Sequence, residues 1–302
     1  VFNPGFVVDG LLPDLEIIAP DGVHFHVHTS RLLAPSSNAF GGRLAHPAHP
    51  LYLPESSVVL SVVFHVIYGM SILPHPPPLQ STEAALDALI KYGLSIAQLA
   101  AAPSLPLYEL VRSYAPYYPI EAYALAAHHR LEHLAVAISA HLLAYDVTRL
   151  SDELTVKMGP IYFARLVNLQ RSRITALRNI VLRPPSMHPA TSTCDAENQR
   201  ELSRAWAFAN AEIVWNVLPS IISSGLDADI STYALESAFL QSASSVSCPD
   251  CQVMLRTRIQ QVKTEWSSVK VRSHHVRFSP QDAIRVIVPR RLYSHCERYS
   301  GR

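Results

Sequence analysis

The chain has 302 residues, 49% hydrophobic and 16% charged, with a formal net charge of +1. That length suffices for two packed units, and the composition argues against a mainly disordered protein. Near-neutral charge gives no general pull towards nucleic acid or membrane, and no apolar run approaches the roughly 20 residues that cross a bilayer. Residues 1–11 are apolar and contain glycine, which reads as an N-terminal arm, either an added strand or a surface that meets a partner. No secretory leader is visible in this stretch, which begins at Val1.

Asp14–Ala19 and Val23–His28 read as two strands joined at the turn pair Asp21-Gly22. In the second strand Val23, Phe25 and Val27 should share the buried face, with His24 and His26 on the other. A helix is expected over Ser30–Phe40, and charging Leu32 or Leu33 on it should unfold the domain. Gly41–Pro50 reads as a loop, and Leu51–Glu55 as a short strand ending at proline. Val58–Gly69 is rich in β-branched residues, yet its length and the preceding Ser56-Ser57 favour a capped helix. Prolines 74, 76, 77 and 78 mark a connector. Thr82–Leu99 follows as an amphipathic helix with Leu86, Leu89, Ile90, Gly93 and Leu94 on one stripe.

Helical patterns then dominate: Pro106–Tyr114, Ile120–Arg130, Leu131–Tyr145, and Ser151–Gln170 with a break expected at Gly159-Pro160. Arg171–Val181 continues the pattern. A boundary is expected at Arg183–Pro189, followed by helices over Glu201–Leu218 (with Trp206 and Trp215) and Met254–Val269 (with Trp266). From Lys263 to Arg302 nine Lys/Arg stand against three Asp/Glu, a basic tail.

These features resemble a BTB/POZ domain, in the form found in fungal proteins. The family signature of Asp, then Phe-x-x-His, then Leu, Ser and Phe is filled by Asp14, Phe25, His28, Leu32 or Leu33, Ser36 and Phe40. Ser36 to Phe40 is one residue longer than the commonest spacing, and Ser37 would restore it. Ala115–Ala127 is similar to the helical extension of the fungal members. The resemblance implies an α+β protein: an arm at 1–11, a BTB/POZ domain at 12–100, and a helical extension at 101–182. A C-terminal helical region at 183–272 and a basic tail at 273–302 lie beyond it.

The function implied is protein–protein interaction without catalysis, in the cytoplasm or nucleus. One implied partner is a second copy, giving a homodimer through the first long helix and an apolar N-terminal strand supplied by Phe6, Val7, Val8, Leu11 and Leu12. The other is the cullin scaffold of a ubiquitin ligase, for which such adaptors often carry an apolar-x-Glu motif. Gly41–Pro50, the matching region, has no glutamate. A third reading is a DNA-associated regulator using the basic tail, although the chain lacks a zinc-finger spacing.

Little else in the sequence suggests chemistry. Ten glycines are about half the usual frequency of roughly 7%, and none forms the G-x-G or P-loop patterns that cradle phosphate. No G-x-S-x-G or H-E-x-x-H occurs, so no enzyme and no organic cofactor is expected. His24, His26 and His28 alternate, but a buried His28 beside two solvated histidines fits better than a metal site. The one metal pattern is Cys248-Pro249-Asp250-Cys251, whose spacing lets two thiolates grip one zinc ion. Cys194 and His188 could complete a structural Cys3His set, with Cys296, His274 and His275 as competitors. Four cysteines in all suit a reducing compartment better than a disulfide scaffold.

Overall fold

The computed structural model describes residues 1–45, 49–217, 230–243, 245–269 and 271–272. It is an α+β protein, mostly helical, with one three-stranded sheet among the described residues. Its contacts divide it into two compact units, Val1–Ile138 with Val156–Gly159, and Ser139–Thr155 with the described residues from Pro160 onward. The span 101–182, one extension by sequence, is therefore shared between them. Residues 273–302, the expected basic tail, lie outside the described residues, as do His274, His275 and Cys296. Among the described residues no helix is long and apolar enough to cross a membrane.

The first unit opens with β1 (Leu15–Ile18) and β2 (His24–Val27), antiparallel, with Leu15 opposite Val27 and Ile17 opposite Phe25. The turn is a three-residue loop, Pro20-Asp21-Gly22. Gly22 N–H bonds the Ala19 carbonyl, Ala19 N–H bonds that of Val23, and Gly22 takes φ +77°. That is a type I turn followed by a left-handed glycine, so the strand starts at His24 and Val23 is left exposed. β3 (Leu51–Tyr52) runs parallel to β1, giving the order β2-β1-β3. Leu15, Ile17, Phe25, Val27 and Leu51 are buried.

Between β2 and β3 the helix is shorter than expected. α1 covers Thr29–Leu33 only, and turns carry the chain through Phe40. Pro35 has no N–H to extend the ladder, and Ala39 and Phe40 take left-handed φ of 53° and 56°. Leu32 is buried and Leu33 half-buried. α2 (Ser57–Ile67) is helical despite its β-branched residues, because six of its side chains, Val59 to Val66, reach the core. Ser56 does not cap it. The Asp21 carboxylate from the hairpin instead accepts from Ser57 N–H (3.1 Å) and Oγ (2.6 Å). The Ser57 hydroxyl leads the causes that hold this carboxyl below its ordinary value.

The expected Thr82–Leu99 helix is two: α3 (Leu79–Lys91) and α4 (Ile96–Leu99). Gly93, at φ +77°, closes α3 with bonds from Leu94 N–H to Leu89 and from Gly93 N–H to Ile90. With the pattern cut there, Ile90 lies on the exposed side, 53% accessible, while Leu86, Leu89 and Leu94 are buried. α5 (Pro106–Ser113) and α6 (Pro119–His128) each begin at a proline, whose fixed φ suits the first helical position. α7 (Glu132–Ser139) ends this part of the chain.

α8 (Asp152–Val181) is capped by Ser151, whose Oγ accepts from Leu154 N–H, and is interrupted at Gly159 (φ 74°, ψ 165°) as the Gly-Pro pair predicts. In the second unit α9 (Ala196–Val217), α10 (Thr232–Ala243) and α11 (Pro249–Ser267) enclose a core of their own. Trp206 stacks on Phe239 at 4.1 Å and donates to the Val181 carbonyl. Buried Arg258 donates to the carbonyls of Ile180 and Arg183 at the end of α8 and pairs with Glu265. It takes the place of the missing intrahelical partners there.

Candidate metal centre

Three stretches of chain meet at one point in the second unit. Pro249 starts α11, which puts Cys248 at its N-cap and Cys251 in its first turn. Cys194 ends a tight turn, in which it exchanges backbone hydrogen bonds with Thr191. Asp195 follows it and caps α9, accepting from the N–H groups of Glu197 and Asn198. His188 comes from the segment after α8, its carbonyl held by the Gln199 side chain at 2.9 Å.

The ligand atoms of His188, Cys194, Cys248 and Cys251 all lie within 4.8 Å of one another. Cys194 and Cys251 sulfurs are 3.8 Å apart, and His188 Nε2 is 3.5 Å from Cys248 Sγ and 3.3 Å from Cys251 Sγ. A tetrahedron with Zn–S of ~2.3 Å and Zn–N of ~2.0 Å requires separations of about 3.8 Å and about 3.5 Å. His188 Nδ1 donates to the Pro189 carbonyl at 2.7 Å, leaving the Nε2 lone pair aimed at the sulfurs. The donor set therefore fits a four-coordinate metal with no ligand position left open. Among the described residues no other grouping of His, Cys and carboxylate ligand atoms is as close-set. The sequence did not identify Pro189 or Gln199, whose roles rest on backbone carbonyls and carry no motif.

Without a metal the thiols differ. The Cys251 N–H directed at its sulfur, opposed by burial and assisted by Cys194, Asp250 and His188, brings Cys248 down to about 7. Burial first, then the neighbouring sulfurs, pushes Cys251 up to about 12, and burial also raises Cys194. His188 is raised chiefly by its bond to the Pro189 carbonyl. A metal would have to displace these protons, and in exchange would neutralise thiolates held close together.

In the first unit six of the seven signature residues serve structure, and the seventh, Leu33, is half-buried. Asp14 accepts from Thr29 N–H at 2.7 Å at the start of α1. Buried His28 is held by Tyr68 Oη (2.9 Å) and the Leu11 carbonyl (3.1 Å), so it cannot join His24, which meets Glu16 at 2.8 Å. Ser36 Oγ donates to the Tyr92 carbonyl and accepts from Phe40 N–H, and Phe40 stacks on Tyr92 at 4.1 Å. Phe25 and Leu32 are core residues, and Leu33 is half-buried at the end of α1.

The arm is not the strand the sequence suggested. Val8 and Leu11 pair across an Asp9-Gly10 turn, and Phe6 folds back, half-buried, against Phe2, Tyr68 and His28. Val7, Leu11 and Leu12 are 53%, 62% and 63% exposed. Phe2, which the sequence did not single out, is buried and its carbonyl accepts from His26 N–H on the edge of β2. Comparison with family models, with curated proteins and with solved structures gave no match to the chain.

Proposed function

We propose that this protein is a non-catalytic interaction scaffold of BTB/POZ type, whose second unit is built on a structural zinc ion. The observation that carries the interaction reading is the exposed trio Val7, Leu11 and Leu12. They are tethered to the first unit by buried Phe2 and by the His28 bond to Leu11, so these apolar side chains are held at the surface rather than left on a loose end. The signature residues support the reading: Asp14, Phe25, His28, Leu32, Ser36 and Phe40 are committed to packing and capping. The zinc assignment rests on a closed Cys3His set, the composition of structural rather than catalytic sites. Free thiols in such a site accord with a reducing intracellular compartment.

The partner we favour is a second copy of the chain. Size exclusion with light scattering on the full chain tests it. The wild type should run as a dimer and the Leu11→Asp/Leu12→Asp double variant as a monomer. A monomeric wild type that forms a complex with a cullin N-terminal domain would replace self-association by the ligase-adaptor role, despite the missing glutamate. A monomer that binds neither, or an undisturbed dimer in the double variant, would defeat the assignment of this surface.

A further inference from the structure

The geometry of the Cys3His centre points to a redox-responsive site: we propose that a hydroperoxide oxidises Cys248, that Cys248 then forms a disulfide with Cys251, and that the zinc ion is thereby released. The inference rests on the zinc reading above and adds regulation to it. Of the three sulfurs, those of Cys194 and Cys251 belong to residues 1% and 0% exposed, whereas Cys248, at the N-cap of α11, is only half-buried. An oxidant arriving from water therefore meets Cys248 first. Its partner is one helical turn away on the same backbone, with sulfur atoms within 4.8 Å, so no loop has to travel for the bond to form.

The steps balance. The Cys248 thiolate attacks one peroxide oxygen, the O–O bond breaks, and the alkoxide leaves and takes a proton as an alcohol, giving a sulfenic acid. The Cys251 thiolate attacks the Cys248 sulfur, the S–S bond forms, and hydroxide leaves and is protonated to water. Two electrons pass from the sulfurs to the peroxide, and zinc departs as the unchanged dication. Cys194 and His188 remain, two ligands where a structural site needs four. A dithiol reductant reverses the change by reopening the disulfide.

The test uses the full chain loaded with zinc, its metal content measured before any oxidant is added. Hydrogen peroxide is then titrated in, with zinc release followed by a chromogenic chelator and disulfides mapped by mass spectrometry of unreduced peptides. We expect one zinc ion released for each Cys248–Cys251 disulfide, and rebinding after reduction. Zinc retained under excess peroxide, or released while Cys248 stays reduced, would overturn the inference. A chain that takes up no zinc at the outset fails the earlier reading instead, and the metal analysis separates the two. Cys248→His keeps four ligands without the exposed thiol and should hold its zinc under the same peroxide. Release from that variant at the wild-type rate would also overturn the assignment.

Discussion

Leu32 and Leu33 are adjacent and chemically identical, yet the structure makes them unequal. Leu32 is fully buried, whereas Leu33 is half-buried as the helix runs out. A carboxylate at the first position would be taken out of water with no partner, and that cost of several kcal/mol, added to about 2–5 kcal/mol of lost leucine packing, is comparable to the whole stability of a typical domain. Leu32→Asp should therefore unfold the unit, while Leu33→Asp should cost about 1 kcal/mol and leave a cooperative transition. Circular dichroism melts of the two variants decide it, and equal effects would contradict the burial difference. Glu55 offers a test that depends on pH. Burial favours its neutral form, but the Lys91 ammonium and the Tyr92 hydroxyl outweigh that and hold the carboxyl below its ordinary value. The unfolded chain then binds the proton more readily, so this stabilisation is complete above the ordinary glutamate value and fades as pH falls through the depressed native one. Glu55→Gln should cost about 1–2 kcal/mol at neutral pH, the worth of charge-assisted bonds, and progressively less in acid. A denaturant midpoint difference that persists unchanged at low pH would refute this.

The elements show which sequence signals survive folding. Helices with a sustained apolar period or a proline start, such as α5 and α6, lie close to where the sequence puts them. The Thr82–Leu99 helix fails where one residue takes a left-handed backbone, because a glycine inside an apolar stripe does not disturb the stripe. Gly93 is the case in point, and the helix expected through it ends there. The expected Ser30–Phe40 helix fails differently: it ends at Leu33, just before Pro35, and Ala39 and Phe40 take left-handed φ only beyond that end. α6 closes with the same bonding pattern as α3, Leu131 N–H to Ala126 and Arg130 N–H to Ala127, but with Arg130 at φ 56° instead of glycine. Opposite substitutions should therefore have opposite signs. At Gly93 an added Cβ would also meet Asn38 Oδ1 at 2.5 Å, so Gly93→Ala should cost about 2 kcal/mol or more. Arg130→Gly relieves about 1–2 kcal/mol of left-handed strain against a glycine entropy cost of about 0.5–1 kcal/mol, and should stabilise slightly. Chemical denaturation of both variants checks the pair, and a destabilised Arg130→Gly would break the argument.

On the scale of the molecule, the metal-ligand set was half legible. Cys248 and Cys251 declare themselves by spacing, since a helix start brings residues three apart together. His188 and Cys194 were two names among several, because which loop returns to a helix end is decided by packing far along the chain. The packing concerned is the core of the second unit, where Trp206, Phe239 and Arg258 fix α8, α9, α10 and α11 against one another. The stretch from Leu182 to Asp195, apart from one Thr191–Cys194 bridge, has no regular structure; Arg183 holds its start through Arg258 and Glu265, and His188 and Cys194 are its ties further along. A ligand that binds only the folded state stabilises it by mass action, and its removal should act on the unit that holds it. Scanning calorimetry of the zinc-loaded chain should then show two transitions. A strong chelator should lower one of them by about 10 °C or more and leave the other in place. His188→Ala should reproduce the chelator's effect and make further chelator ineffective. If both transitions shift together, the two units do not unfold separately. If neither moves, the four side chains are a buried thiol cluster packed for its own sake, and the second unit stands on its tryptophan core alone.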